Sequence, residues 1–86
     1  MTYTVEFRPS AAKQLRSLPK GVRRTIMMVV DALADNPRPS GAVRLKGTGF
    51  LRVRIGDYRV VYDVQDSVLR VLVVRVAHRR EVYRNL

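Results

Sequence analysis

The chain has no cysteine, a single histidine and only seven acidic residues among 86. Without cysteine there are no disulfide bonds or thiolate metal sites, and one histidine argues against a zinc site. No apolar run is long enough to cross a membrane. The first ten residues have neither the basic nor the apolar part of a secretory signal, which favours a cytoplasmic protein. Together these absences predict a protein without membrane contact, metal or other cofactor.

Basic residues are in large excess. Seventeen Lys and Arg against seven Asp and Glu give a net charge of +10. Residues 44–86 hold ten basic and four acidic residues, and residues 1–43 hold seven and three, so the excess is not confined to a tail. Such a surface attracts nucleic acid or an acidic protein. The 47% hydrophobic content predicts a folded chain, and the length predicts one domain over residues 1–86.

The first half of the sequence predicts a strand and two helices. Residues 2–8 alternate between apolar and polar side chains, which is typical of a half-buried strand. Pro9 suits the first turn of a helix that ends at the "LPKG" segment. A second apolar stripe of helical spacing runs over residues 22–33 and ends at "DNPRPSG". The short connection favours two antiparallel helices lying side by side.

The second half predicts strands. The segments "FLRVRI" and "YRVVYDV" flank Gly56-Asp57, and "VLRVLVVRVA" follows the polar turn "QDS". The predicted fold is therefore α+β, with an N-terminal strand and a helical hairpin packed on a mainly antiparallel sheet of about four strands.

The Gly56-Asp57 turn groups three arginines on one face. A two-residue turn places Arg54 opposite Arg59, with Arg52 on the same side. The other face is apolar, and we expect the helices to cover it; its members are Leu51, Val53, Ile55, Tyr58, Val60 and Tyr62.

Like charges opposed across strands repel, so this grouping suggests a phosphate site matched to the guanidinium fork. The alternative is an ordinary solvated sheet face, on which Asp63 relieves some of the repulsion. Arg70 and Arg75 are not assigned to the site, because "QDS" does not define the register of the next hairpin.

Few residues could move protons. The sequence shows no Ser-His-Asp set, close carboxylate pair or phosphate-binding glycine loop, and arginine is poorly suited as a base. Histidine is a common general acid or base, which makes His78 a candidate, although a lone histidine after a strand is more often incidental. Tyr83 could transfer a proton, stack on a nucleobase or simply pack. The two remain alternative or joint candidates.

Three segments carry a family resemblance that covers nearly the whole chain. "YTVEFRPSAAKQLRSLPK", "LRVRIGDYRVVYDV" and "VLVVRVAHRREVYR" resemble the RelE side of the RelE/ParE toxin superfamily. The resemblance implies a ribosome-dependent endoribonuclease that cuts mRNA in the A site by attack of the RNA 2′-hydroxyl on the adjacent phosphorus. It also implies a catalytic set, which comprises Arg52, Arg54, Arg59, Arg79 and Tyr83, with His78 as a possible acid or base.

The resemblance has departures and further consequences. The family's best-known member has lysines where Arg52 and Arg54 stand, a longer turn and a longer C-terminal tail. The implied partners are a cognate antitoxin and mRNA on the ribosome, with rRNA contacted through the basic surface. Two alternatives remain: a ParE-like toxin that inhibits gyrase, and a non-catalytic RNA-binding module.

Overall fold

The computed structural model describes residues 2–79. Its elements follow the predicted order of one strand, two helices and a three-strand meander, with one short strand added before the meander. Their bounds are β1 Thr4–Phe7, α1 Pro9–Arg16, α2 Lys20–Leu33, β2 Val43–Arg44, β3 Leu51–Ile55, β4 Tyr58–Gln65, a 3₁₀ turn at Asp66–Val68, and β5 Arg70–His78.

The sheet has five strands in the order β1-β5-β4-β3-β2. β1 runs parallel to β5, and the other three pairs are antiparallel. The predicted α+β class and mainly antiparallel sheet are confirmed, and the strand count is five because β2 adds two residues alongside β3.

The helices owe their stability to packing, since their ends are weakly capped. Pro9 occupies the first turn of α1 and Pro19 precedes α2, as proline's fixed φ favours at a helix start. Neither helix has a side-chain N-cap hydrogen bond or an acidic residue in its first turn. Each nevertheless turns a buried stripe to the sheet, comprising Ala11 and Leu15 from α1 and Ile26, Val30 and Leu33 from α2.

The main core lies between these helices and one face of the sheet. The predicted apolar face is confirmed, because Val53, Val60 and Tyr62 are buried there. The Tyr62 hydroxyl donates a 2.7 Å hydrogen bond to the Pro37 carbonyl oxygen, which ties the segment after α2 to the sheet. Burial raises the pKa of Tyr62 to about 12. β5 supplies Val71, Val73 and Val76.

A β-bulge interrupts the alternation of β5. Val61 pairs with Arg75 while Tyr62 pairs with Val73, so Val74 is the extra residue. Val61 and Val74 are buried in a second, smaller cluster apart from the main core. That cluster is covered by Leu45, Phe50 and Ala77. The sheet face opposite the helices is therefore partly covered by the connection from β2 to β3.

Two side chains outside the core, Asp66 and Gln14, connect distant segments through hydrogen bonds. The Asp66 carboxylate accepts hydrogen bonds from the Tyr3 hydroxyl at 2.5 Å and from both terminal nitrogens of Arg38 at 2.8 and 3.2 Å. These donors, Arg38 foremost, lower the pKa of Asp66 to about 2. The Gln14 side-chain oxygen accepts a hydrogen bond from the Val76 N–H at 2.9 Å.

Among the described residues, no helix is long and apolar enough to cross a membrane.

Candidate nucleic-acid interface

The hairpin between β3 and β4 has the predicted register. Arg54 pairs with Arg59 and Arg52 pairs with Val61 across the two-residue turn. Gly56 takes φ +59°, and Asp57 is not among the positive-φ residues, which is the φ pattern of a type II′ turn. Since residues paired directly across strands share a face, the three arginines project from the side of the sheet opposite the helices.

Two of these guanidinium groups converge beside the turn. Arg54 Nε and Arg59 Nη1 each lie 3.5 Å from the Gly56 carbonyl oxygen, and Arg59 Nη1 also lies 3.3 Å from the Tyr58 carbonyl oxygen. Contacts of this length are weak, so they orient the guanidiniums without providing strong hydrogen bonds. Arg54 is exposed, and Arg52 and Arg59 are partly buried. The pair can donate several hydrogen bonds to a phosphate and stabilise negative charge, but arginine does not act as a base.

The far end of the same face has a different charge pattern. Arg70 bonds to the Glu6 carboxylate at 3.0 Å and to the Gln65 side-chain oxygen at 2.7 Å. Gln65 in turn donates to the Asp63 carboxylate at 3.2 Å. Asp63 thus has a hydrogen-bond partner at the far end of β4, away from the Gly56-Asp57 turn.

His78 and Arg79 lie at the turn but are placed differently from the three arginines. His78 pairs with Tyr58, and their rings meet edge to face at 5.3 Å. This pairing puts His78 on the helix side of the sheet. Tyr58 also lines a groove of about 330 Å³ between the start of α2 and the turn. Arg79 donates its backbone N–H to the Asp57 carbonyl oxygen at 2.7 Å, which fixes its backbone beside the turn.

The last predicted site residue, Tyr83, lies outside the described residues 2–79. The catalytic roles assigned to the six residues stay predictions. Within those described residues, no group of three or more His, Cys, Asp and Glu side chains could hold a metal ion.

Sequence reasoning did not place Arg75. Regular alternation along residues 71–77 would have grouped it with Val71 and Val73 on the core side. The bulge instead brings it opposite Val61, in line with Arg52. No turn signal in the sequence marks this shift.

Solved structures share this fold. One is a chain of the crystal structure of an archaeal RelE–RelB complex from Pyrococcus horikoshii OT3, with a TM-score of 0.82 and 34% identity, covering 93% of this chain and 98% of that one. Another is the isolated Escherichia coli RelE toxin, with a TM-score of 0.81 and 26% identity, covering 91% and 85% respectively. Two helices on one side of a mixed five-stranded sheet thus define a RelE-like toxin fold.

Sequence comparisons lead to the same family. A family model described as the ParE toxin of the type II toxin–antitoxin system parDE matches residues 5–83. Toxin RelG of Mycobacterium tuberculosis is 30% identical over 86 residues, covering 98% of this chain and 99% of RelG. Toxin RelE of the same organism is 34% identical over 84 residues, covering 95% and 87%. This chain belongs to the RelE/ParE superfamily and is a RelE-type toxin of a type II toxin–antitoxin system.

Proposed function

We propose that this toxin is a ribosome-dependent endoribonuclease that cleaves mRNA in the A site and thereby inhibits translation. The observation that carries the proposal is the Arg54–Arg59 pair, with Arg52 on the same face. The pairing of like charges costs free energy in the isolated protein, and a bound phosphate would offset that cost. The RelE and RelG names of the relatives support the same activity.

The proposed reaction is an internal transfer within the RNA. The 2′-oxygen loses its proton and forms a bond to the adjacent phosphorus, and the bond from phosphorus to the 5′-oxygen breaks. The leaving 5′-oxygen receives a proton, so the products are a 2′,3′-cyclic phosphate and a 5′-hydroxyl. Arg52, Arg54 and Arg59 stabilise the charge that develops on the phosphorane oxygens, and one well-placed donor of this kind contributes roughly 2.7–4 kcal/mol in enzymes. We propose that the reaction needs no metal, because the guanidiniums supply this charge stabilisation.

Proton transfer is assigned to Tyr83 and His78, with Arg79 as a further cation beside the turn. The pairing of His78 with Tyr58 on the helix side supports giving Tyr83 the larger share. The ribosome would hold the RNA in line for attack, which compensates for a weak acid–base set. We expect Tyr83→Phe to slow cleavage more than His78→Ala. Native-rate cleavage by His78→Ala would show that His78 carries no proton in the reaction.

The decisive experiment uses purified toxin with programmed ribosomes. We expect cuts in the A-site codon, with 5′-hydroxyl ends, from the native chain. Arg59→Ala should abolish cleavage and growth arrest while the circular dichroism spectrum is retained. Arg44→Ala, which removes an exposed arginine from β2, is the matched control and should cleave normally. Full toxicity of Arg59→Ala would refute the site.

A second candidate is inhibition of DNA gyrase, which the ParE description of the matching family model favours. It predicts blocked supercoiling by purified gyrase and intact mRNA on ribosomes. A non-catalytic RNA-binding module would instead bind RNA equally well in the Tyr83→Phe variant and would cleave RNA neither on nor off the ribosome.

We also propose a cognate antitoxin as partner. A chain of a RelE–RelB complex shares the fold, and this supports a protein that neutralises the present toxin. The cytoplasm is the proposed location, because ribosomes are there. The remaining basic surface would contact rRNA through salt-sensitive attraction to phosphates.

A further inference from the structure

The groove between the start of α2 and the β3–β4 turn lies next to the predicted phosphate site. Val22 and Thr25 line it from α2, and Gly56, Asp57 and Tyr58 line it from the turn. Its volume of about 330 Å³ lies at the small end of the range for ligand pockets, which runs from roughly 300 to 1,000 Å³. The groove is therefore large enough for one small planar ligand such as a nucleobase.

Gly56 connects the groove to the arginine pair. Its carbonyl oxygen lies 3.5 Å from both Arg54 Nε and Arg59 Nη1, and the same residue lines the groove. The groove lies on the helix side of the sheet and the arginines on the other side, and the two sides meet at this turn. An RNA strand that passes over the turn would thus have a phosphate at the arginines and a base at the groove.

The groove walls offer the contacts that a nucleobase makes in proteins. Tyr58 provides an aromatic ring, which the His78 ring contacts edge to face at 5.3 Å. Aromatic rings of this kind stack on the bases of single-stranded RNA. Val22 adds apolar surface on the opposite wall. The Thr25 hydroxyl donates to the Gly21 carbonyl oxygen at 3.1 Å, so it keeps only acceptor capacity for a ligand.

Asp57 is a carboxylate without a partner beside two arginines. Within residues 2–79 its side chain forms no ion pair or hydrogen bond, although Arg54 and Arg59 belong to the same hairpin. The turn itself needs no carboxylate, because asparagine or serine serves equally well after Gly56. A negative charge repels phosphate, so the ligand group that suits Asp57 is an N–H donor. The exocyclic amines of nucleobases are such donors.

We propose that this groove binds one nucleobase of the mRNA, next to the phosphate held by Arg54 and Arg59, and that Asp57 accepts a hydrogen bond from the exocyclic amine of that base. The inference rests on the proposed function, because it takes an RNA strand as the ligand. Cytosine presents an amine at C4, whereas uracil presents a carbonyl oxygen there, which the carboxylate repels. Asp57 is thus a specificity-determining residue, and Tyr58 is the residue on which the base stacks.

The test compares two 2′-O-methyl RNA tetramers, one of cytidine and one of uridine, which cannot be cleaved and differ in the group at C4 of the base. Fluorescence anisotropy at low salt gives their dissociation constants. One net hydrogen bond corresponds to about threefold to tenfold in affinity, so we expect the native chain to prefer the cytidine tetramer by that factor. Asp57→Asn should lose the preference, because the asparagine amide can donate to the uracil oxygen. Asp35→Asn removes the same charge from an exposed position after α2 and should keep the preference.

A second variant tests the groove itself. Gly21 also lines the groove, and a β-carbon at this position would meet no atom of another segment within 4 Å. Gly21→Leu therefore extends a side chain into the groove without a clash, and we expect it to weaken binding of both tetramers by roughly tenfold. Gly41→Leu is the matched control, because its β-carbon is equally unobstructed in the exposed connection before β2; it should bind both tetramers as the native chain does.

The outcomes separate this inference from the proposed function. Equal affinity of the native chain for the two tetramers, binding of neither, or a preference that survives Asp57→Asn would overturn the base site while leaving A-site cleavage intact. Normal tetramer binding by Gly21→Leu, together with its escape from neutralisation by the cognate antitoxin, would assign the groove to the antitoxin and overturn the inference too. Intact mRNA on ribosomes with the native chain would instead overturn the proposed function. If Gly21→Leu fails to fold, the cytidine preference and its response to Asp57→Asn decide alone.

Discussion

Replacing Arg54 with glutamate should stabilise this toxin while destroying its activity. Arg54 stands directly across from Arg59, and it is exposed on the strand surface. Direct cross-strand charge pairs contribute roughly 0.2–1 kcal/mol, with the sign set by their charges. Arg54→Glu removes one repulsion and adds one attraction, so we expect a gain of about 1 kcal/mol in the free energy of unfolding. In a domain of this size that raises the melting temperature by about 4–8 °C.

The assay is urea unfolding followed by circular dichroism at 10 mM and 1 M NaCl. The control is Arg44→Glu, which makes the same change in net charge on an exposed strand position whose cross-strand partner is Leu51. Salt at 1 M reduces the Debye length to about 3 Å, so the advantage of Arg54→Glu over the control should shrink there. If Arg54→Glu is no more stable than Arg44→Glu at 10 mM NaCl, the argument that the arginine pair costs folding free energy is wrong.

Two further predictions concern buried and surface hydrogen bonds. Tyr62→Phe removes the hydrogen bond to the Pro37 carbonyl oxygen and should cost about 1 kcal/mol of unfolding free energy in urea. The pKa of Tyr62 is raised to about 12 in the folded state, so the neutral hydroxyl stabilises the fold below pH ~10 and this stabilisation is lost as pH rises toward 12. The difference in unfolding free energy between the native chain and Tyr62→Phe should therefore shrink over that window. The pKa of Asp66 is lowered to about 2, chiefly by Arg38. The ionised Asp66 carboxylate therefore stabilises the folded state above pH ~4, and this stabilisation is lost as pH falls toward 2. Urea midpoints of Asp66→Asn should fall less over that range than those of the native chain. Equal acid sensitivity of Asp66→Asn and the native chain would contradict this reasoning.

The β3–β4 hairpin shows what local sequence can predict. Gly56-Asp57 provides a two-residue turn, and the pairing of Leu51–Ile55 with Tyr58–Tyr62 follows from it. The helix boundaries are similarly local, because proline excludes helical continuation at Pro19 and Pro37. Tyr83 carries a proposed role that rests on the family resemblance.

The β4–β5 hairpin has a feature that only the tertiary structure could determine, the bulge at Val74. The "VLVVRVA" segment of β5 contains no residue type that forces a bulge, and regular alternation would have buried Arg75. The bulge is stabilised by two cores at once, since Val73 and Val76 pack beneath the helices while Val74 packs under Leu45 and Phe50.

The sequence by itself thus determined the order of the elements other than β2, the register of the β3–β4 hairpin and the grouping of Arg52, Arg54 and Arg59. Turn geometry and side-chain alternation act over a few residues, so local sequence is enough to specify them. Only the tertiary structure decided the parallel pairing of β1 with β5, the side of the sheet on which His78 lies, and the placement of Arg75. Those features depend on which distant surfaces bury each other, and no local pattern records that choice.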